Sequence, residues 1–200
     1  ATEIAAERGM LVVTAMGNDG PAPSTLIAPA DGKRVVAVGA TDWAGTPMPF
    51  SSRGPTGDGR IKPDVLARGL VVTAADFLTD DGYSVQNGTS IATPLVGGLA
   101  ALLLEERPAW TPDSIAAALR RSGDRADQSR SDCGWGVPDG LIALGDNGPR
   151  LRVVRAEWDS AATALAAPGE GWPGRILLWI RNDGLSGSSP GEIRIGSHSA

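Results

Sequence analysis

A long apolar run, SIATPLVGGLAALLLEE at residues 90–106, most constrains how this chain can fold. The run is apolar on all sides until its last turn, and Pro108 follows it closely. A helix with no polar face is unstable against water, so we expect this helix to be buried. It falls short of the roughly 18 uninterrupted apolar residues of a membrane span. The run therefore predicts the central helix of a globular domain.

Three short apolar runs upstream of this helix predict β-strands. They are MLVVTAM at 10–16, VVAVGAT at 35–41 and LVVTA at 70–74, each bounded by Gly, Asn, Asp or Pro. Nearly continuous apolar strands are typical of a parallel sheet with helices on both faces. A second helix is predicted after Thr111, a hydroxyl N-cap that is followed by Pro112. These elements predict a three-layer α/β domain with a parallel sheet.

The pattern changes near residue 147. Residues 148–200 contain three strand-like runs, at 151–158, 175–181 and 192–195, with Gly, Ser and Pro between them. Three strands are too few to close a sandwich. We therefore expect two domains, an α/β portion at 1–147 and the truncated start of a β-sandwich-like accessory module at 148–200.

Charge and cysteine content exclude several functions. The net charge is −5 and basic residues do not cluster, which argues against a nucleic-acid partner. The single Cys cannot form an internal disulfide, and with one His it cannot build a thiolate or imidazole metal site. Asp76, Asp80 and Asp81 could offer oxygen ligands to calcium, but a solvated loop is the simpler expectation. The N-terminal residues do not resemble a signal peptide.

Ser90 is the first candidate for chemistry. It lies in Asn87-Gly88-Thr89-Ser90, where a loop meets the predicted buried helix. Unpaired N–H groups and a partial positive charge at a helix N-terminus can stabilise a developing oxyanion. Gly88 would allow close approach of a substrate. The simpler alternative is that Ser90 only caps the helix.

Asn18 is the second candidate. It lies in Ala15-Met16-Gly17-Asn18-Asp19-Gly20, at the carboxyl end of the first predicted strand. Ligands of open α/β sheets bind beyond the carboxyl ends of the strands, and an Asn amide can donate a hydrogen bond to an oxyanion. Taken alone, the segment could equally be a plain turn.

Together the two segments resemble the subtilisin-like serine peptidases, the subtilase family. The resemblance covers about residues 1–145. Further motifs occur in the family's order: Phe50-Ser51-Ser52-Arg53-Gly54-Pro55, Lys62-Pro63-Asp64-Val65, Pro108-Ala109-Trp110-Thr111 and Gly134-Trp135-Gly136-Val137. Departures from the family pattern are Arg68 in Ala67-Arg68-Gly69, Ile91 after the serine, and Leu95. None of them removes a catalytic group.

The resemblance implies a serine endopeptidase. Ser90 would be the acyl-forming nucleophile, and Asn18 would form the oxyanion hole with the Ser90 backbone N–H. Ala15, Met16 and Gly17 would line the pocket for the substrate side chain that precedes the scissile bond. The family also implies peptide or protein substrates, secretion, no cofactor for the chemistry, and structural calcium for which no ligand can be assigned here.

The catalytic acid and base of a subtilase precede its serine in the order Asp, His, Ser. Here the only imidazole is that of His198, which we expect to be an exposed terminal residue. The chain is therefore expected to be the C-terminal portion of a catalytic domain whose N-terminal half is missing, and to be inert alone. Two alternatives stay open, a sedolisin-like peptidase and a non-catalytic pseudo-peptidase that serves as a binding scaffold.

Overall fold

A computed structural model describes residues 2–76, 78–79 and 81–145, together with the backbone of three later strands. The chain divides into two compact units, Ala1–Gly145 and Asp146–Ala200. The elements of the first unit, in chain order, are α1 (Thr2–Glu7), β1 (Val12–Ala15), β2 (Val35–Thr41), β3 (Val65–Arg68), β4 (Val72–Ala75), β5 (Tyr83–Gln86), α2 (Thr89–Glu106), α3 (Pro112–Arg121), a 3-10 turn (Ala126–Gln128) and α4 (Gly140–Ala143).

A three-stranded parallel sheet in the order β1-β2-β3 forms the centre of the first unit. Its register places Val12 opposite Val35 and Val38 opposite Val65. Every residue of β2 is buried, as expected of a middle strand that is covered on both faces. The predicted α/β class with a parallel sheet is confirmed. The strand predicted at 35–41 is also confirmed, and the strand predicted at 10–16 is shorter, at Val12–Ala15.

The prediction of a parallel strand at 70–74 is wrong. The third strand of the sheet is β3, and β4 instead pairs antiparallel with β5 in a separate hairpin. The chain bends at Val71, which has a φ of 52°. The Arg68 guanidinium stabilises this turn by donating hydrogen bonds to the Leu70 and Val71 carbonyl oxygens, at 3.3 and 2.8 Å. Residues 65–68 and 72–75 both form strands. Only the strand at 65–68 pairs with β2 and so joins the parallel sheet.

α2 packs across all three strands of the sheet. Its sheet-facing side chains are buried and join those of β2 in the main core; they are Ala92, Val96, Ala100 and Leu103. The prediction of a buried helix holds for the side that faces the sheet, whereas the other side is open among the residues described. Leu95, Leu102 and Leu104 are 50%, 62% and 45% exposed. A helix lying on a sheet buries the face that touches the sheet, so the remaining apolar side of α2 is open.

α3 and the opposite face of β2 complete the first unit. The predicted helix after Thr111 is confirmed, and the Thr111 hydroxyl accepts a hydrogen bond from the Ser114 nitrogen at 3.2 Å. On the other face of β2, Met16 packs with Ala30 and Ala37 in a smaller core. Buried side chains therefore pack on both faces of the sheet, which agrees with the predicted three-layer fold.

A buried ion network ties β2, β3 and α3 together. Asp64 precedes β3 and is 2% exposed. Its carboxylate accepts hydrogen bonds from the Ala37 nitrogen at 2.7 Å, from Lys62 Nζ at 2.6 Å, and from Arg120 Nε and Nη2 at 2.8 and 2.6 Å. Burial lowers the pKa of Lys62, and the charge of Asp64 opposes that shift. Asp64 is thus a structural residue.

The second unit contains three strands, β6 (Leu151–Asp159), β7 (Arg175–Asn182) and β8 (Glu192–Ile195). They form an antiparallel sheet in the order β6-β7-β8, so the three strands predicted in this region are confirmed. His198 lies outside the described residues. Within the part of the chain that the structure describes, no helix has the length and apolar character needed to cross a bilayer.

Candidate functional site

The loop after β1 and the first turn of α2 lie against each other. The Gly17 backbone nitrogen donates a hydrogen bond to Thr89 Oγ1 at 3.2 Å, across 72 positions of sequence. The Thr89 backbone nitrogen donates in turn to Asn18 Oδ1 at 3.0 Å. The two segments that sequence analysis singled out therefore form one site at the carboxyl end of β1, as expected for an open α/β sheet.

The Asn18 side chain is held in one orientation by Thr89. Both the backbone nitrogen and the hydroxyl of Thr89 lie 3.0 Å from Asn18 Oδ1. Thr89 is 1% exposed, whereas Asn18 is exposed, so these two hydrogen bonds are part-buried. With its oxygen engaged, the carboxamide turns its nitrogen toward Gly88, where Nδ2 lies 3.5 Å from the position that a Cβ would occupy. The amide donor of Asn18 therefore faces the start of α2.

Ser90 is exposed on the first turn of α2 and does not cap it. The N-cap is Gly88, and no side chain caps this helix end. The alternative that Ser90 only caps the helix is therefore wrong. Ser90 Oγ lies 3.2 Å from the same point beside Gly88 that Asn18 Nδ2 faces. As the second residue of the helix, Ser90 also has a backbone N–H with no carbonyl one turn back to bond.

Gly88 makes this arrangement possible. Its φ of 141° and ψ of 159° lie in a region open essentially to Gly alone. The Gly88 nitrogen donates to the Gly69 carbonyl oxygen at 2.8 Å, and a Cβ on Gly69 would stand 2.6 Å from the Gly88 oxygen. Asn87 Oδ1 accepts from the Val71 nitrogen at 2.7 Å. The turn at 69–71 thus supports the loop that presents Ser90.

The Phe50–Pro55 motif, to which sequence analysis assigned no role, supports the Asn18 loop. The Gly20 nitrogen donates to the Phe50 carbonyl oxygen at 2.9 Å. The Ser52 nitrogen donates to the Gly17 carbonyl oxygen at 2.9 Å, and Ser52 Oγ accepts from the Asp19 nitrogen at 2.9 Å. Sequence reasoning missed Ser52 and Thr89 as supporting residues, although the motif around Ser52 was visible.

The residues predicted to line a substrate pocket have different environments. Ala15 ends β1 and is half-buried, and Gly17 is buried. The Met16 side chain is fully buried against Ala30 and Ala37. Met16 as a whole is 0% exposed, so neither its side chain nor its backbone lies at the surface of this structure.

The charged groups considered for a metal do not form a site among the residues described. Asp80 lies outside those residues, and Asp76 Oδ1 accepts a hydrogen bond from the Leu78 nitrogen at 3.0 Å within its own turn. Among residues 2–76, 78–79 and 81–145, no three His, Cys, Asp or Glu side chains are grouped to hold a metal ion. The structural calcium that the family resemblance implies stays a prediction without an assigned ligand.

A serine hydroxyl and an amide donor that converge at a helix N-terminus, beyond the carboxyl end of a parallel strand, have the layout of a serine hydrolase site. Comparison with known proteins narrows this class. The sequence model of the subtilase family matches residues 1–136. The chain belongs to the subtilase family.

Proteins similar to this chain include proteases. The chain is 36% identical over 144 residues to the serine protease AprX of Bacillus subtilis, a match that covers 62% of this chain and 33% of AprX. It is 38% identical over 125 residues to the membrane-bound transcription factor site-1 protease of Mus musculus, covering 58% of this chain and 12% of that protein. The chain thus spans a third or less of the length of these relatives.

Solved structures show the same fold. The self-cleaved protease domain of PatA matches with a TM-score of 0.60 and 32% identity, over 71% of this chain and 51% of that structure. The prenylagaramide maturation protease PagA matches with a TM-score of 0.61 and 33% identity, over 72% and 53% of the two chains. These similarities confirm the subtilisin-like fold predicted from the sequence motifs.

Proposed function

We propose that this chain carries the nucleophile and oxyanion hole of a serine endopeptidase. The observation that carries the proposal is the convergence of Ser90 Oγ and Asn18 Nδ2 on one point beside Gly88, at 3.2 and 3.5 Å. The two groups therefore lie near the same side of Gly88, where a peptide bound against this glycine would present its carbonyl carbon to the hydroxyl and its carbonyl oxygen to the amide. Family membership supports the same chemistry.

In the proposed reaction, Ser90 Oγ loses its proton to a general base and attacks the peptide carbonyl carbon. The carbonyl oxygen becomes an oxyanion, which accepts hydrogen bonds from Asn18 Nδ2 and the Ser90 backbone N–H. The positive end of the α2 dipole favours this charge. The tetrahedral intermediate expels the protonated amine and leaves an acyl-enzyme on Ser90. Water, deprotonated by the same base, then releases the acid product and restores the hydroxyl. No cofactor is needed for these steps.

We propose that the base and its acid partner come from residues beyond these 200, because the only His of the chain is His198. Two features of the first unit support completion of the domain by further structure. Among the described residues, the half-buried strand β1 is an edge strand, because only β2 pairs with it. In addition, α2 exposes Leu95, Leu102 and Leu104 on the side that faces away from the sheet. Alone, the 200-residue chain is expected to be inert.

The pocket for the substrate side chain is proposed to lie at Ala15, Met16 and Gly17. Asn18 directly follows these residues in the chain. A substrate whose scissile carbonyl is bound by Asn18 would therefore place the side chain that precedes the scissile bond near them. Peptides or proteins are the proposed substrates. Secretion is proposed from the family resemblance, and the full-length protein is expected in the culture medium of cells that express it.

The test is labelling of the full-length gene product with a fluorophosphonate, which reacts with activated serines. The wild-type protein is expected to be labelled at Ser90, and Ser90→Ala is expected to remain unlabelled and inactive. Asn18→Ala is expected to lower kcat by about 100- to 1000-fold, the cost typical of removing an oxyanion donor, for which a subtilisin Asn is the established example. Labelling that persists undiminished in Ser90→Ala would overturn the proposal.

A non-catalytic binding scaffold is the second candidate. The observation that favours it is the absence of any imidazole except His198 from the sequence. A scaffold would bind a peptide but would not be labelled at Ser90 in the full-length protein. The sedolisin-like alternative uses a Glu-Asp pair instead of His, and activity confined to acidic pH would favour it. The match to the subtilase family model favours the subtilisin type.

A further inference from the structure

We propose that Ser52 is a positioning residue for the Asn18 amide, an inference that rests on the proposed function. Ser52 contacts the backbone on both sides of Asn18. Its nitrogen donates to the Gly17 carbonyl oxygen, and its hydroxyl oxygen accepts from the Asp19 nitrogen, each at 2.9 Å. The single residue between these two anchors is Asn18. Ser52 therefore determines where the backbone that carries the amide can lie.

The surroundings of Ser52 make this support rigid. Ser52 is 1% exposed and Gly17 is buried, so the hydrogen bond between them is shielded from water, and the bond from the Asp19 nitrogen is part-buried. Gly17 has a φ of 109°, and a Cβ there would stand 2.8 Å from Ser52 Oγ and 3.1 Å from the Ile27 side chain. The hydroxyl thus packs directly on the Gly17 backbone. Motion of the loop toward Ser52 is blocked by contact, and motion away from it breaks the bond to Asp19.

Ser52 and Thr89 hold Asn18 in complementary ways. Thr89 binds the carboxamide oxygen and sets which way the amide points. Ser52 binds only main chain and sets where the loop stands. An oxyanion donor contributes to catalysis only when its position is held within about 0.5 Å. Loss of the Ser52 hydroxyl is therefore expected to weaken transition-state binding without touching the substrate.

Ser51 provides a matched control. It is 2% exposed, and its hydroxyl also accepts one backbone hydrogen bond, from the Ala40 nitrogen at 3.1 Å. That nitrogen belongs to β2 and not to the Asn18 loop. Ser51→Ala and Ser52→Ala thus remove chemically equivalent groups from neighbouring positions. Only Ser52→Ala is expected to disturb Asn18.

The experiment measures kcat and KM of the full-length protein on a peptidyl p-nitroanilide. Ser52→Ala is expected to lower kcat about tenfold with KM unchanged, because the oxyanion contact forms in the transition state. Ser51→Ala is expected to keep kcat within about twofold of wild type, while the thermal midpoints of both variants fall by similar amounts. Equal kcat losses in the two variants would overturn the positioning role.

A double-mutant cycle separates positioning from general damage. In an Asn18→Ala background, Ser52→Ala is expected to cause no further loss of kcat, because the amide that it positions is gone. A tenfold loss that persists in that background would overturn the proposal. Ser90→Ala serves as the check on the proposed function itself. Full activity in Ser90→Ala would refute the peptidase site. If Ser90→Ala is inactive but the Ser52→Ala and Asn18→Ala effects on kcat are additive, only the positioning role of Ser52 is refuted.

Discussion

Asn18 Oδ1 lies 3.0 Å from both the backbone nitrogen and the hydroxyl oxygen of Thr89. These two bonds use the acceptor end of the carboxamide. Its donor end is left to face Gly88 and the neighbourhood of Ser90. The residue before the proposed nucleophile thus orients the proposed oxyanion donor, so that both groups are positioned by the first turn of one helix.

Replacing Thr89 with Val is expected to lower kcat of the full-length protein. The substitution keeps the shape of the buried side chain but removes the hydroxyl that bonds Asn18 Oδ1 and accepts from the Gly17 nitrogen. One net hydrogen bond contributes about 0.5 to 1.5 kcal/mol, so the loss should be about two- to twelvefold. Steady-state hydrolysis of a peptide substrate measures it. Thr89→Ser, which keeps the hydroxyl, should stay close to wild type, and equal losses in both variants would contradict this role.

Replacing Gly88 with Ala is expected to reduce both stability and serine labelling. The backbone conformation at Gly88 would cost an Ala about 1 to 3 kcal/mol. The added Cβ would also stand 3.2 Å from Ser90 Oγ. Urea unfolding and fluorophosphonate labelling measure the two effects. Gly97→Ala is the control, because a Cβ there meets nothing within 4 Å and Ala favours the α2 helix. A Gly88→Ala protein as stable as Gly97→Ala would count against this explanation.

Replacing Asp64 with Asn is expected to destabilise the first unit strongly. The substitution leaves Lys62 and Arg120 without the buried carboxylate that both bind. Breaking a buried ion pair from one side costs about 3 to 5 kcal/mol. The free energy of unfolding in urea measures this loss. Asp58→Asn is the control, because the Asp58–Arg60 pair is exposed and screened by water. Similar losses in the two variants would show that the network contributes little.

Cys133 is expected to react slowly with iodoacetamide in the native protein. The side chain is 4% exposed, and burial, with a smaller effect from Asp132, raises the pKa of its thiol. Because the thiolate is the reactive form, its fraction at pH 8 should be below that of an exposed cysteine and should grow as the pH rises further. Mass spectrometry of the alkylated protein follows the reaction, with the urea-unfolded chain as the reference. Alkylation at equal rates in native and unfolded protein would contradict this picture.

Much of the candidate site could be proposed from the sequence because its signals are local. Ser90 follows a Gly at a helix start, and Asn18 follows the end of an apolar strand, so each is recognisable from its immediate neighbours. Ser52 and Thr89 were not recognised, because their hydrogen bonds join segments separated by 33 and 71 positions. Periodicity within a window of sequence carries no information about such partners.

The sequence by itself determined the α/β class, the strand at 35–41 and the start of α3, and it singled out Ser90 and Asn18 as the candidate reactive groups. Local propensity, capping residues and apolar runs are sufficient for these features. Only the tertiary structure decided that Val65–Arg68 and not 70–74 joins β2, that α2 leaves its leucine side open, and that the Asn18 amide faces Gly88. Each of these features depends on contacts between residues that are distant in sequence. Local propensity does not determine which of the possible contacts form when the chain folds.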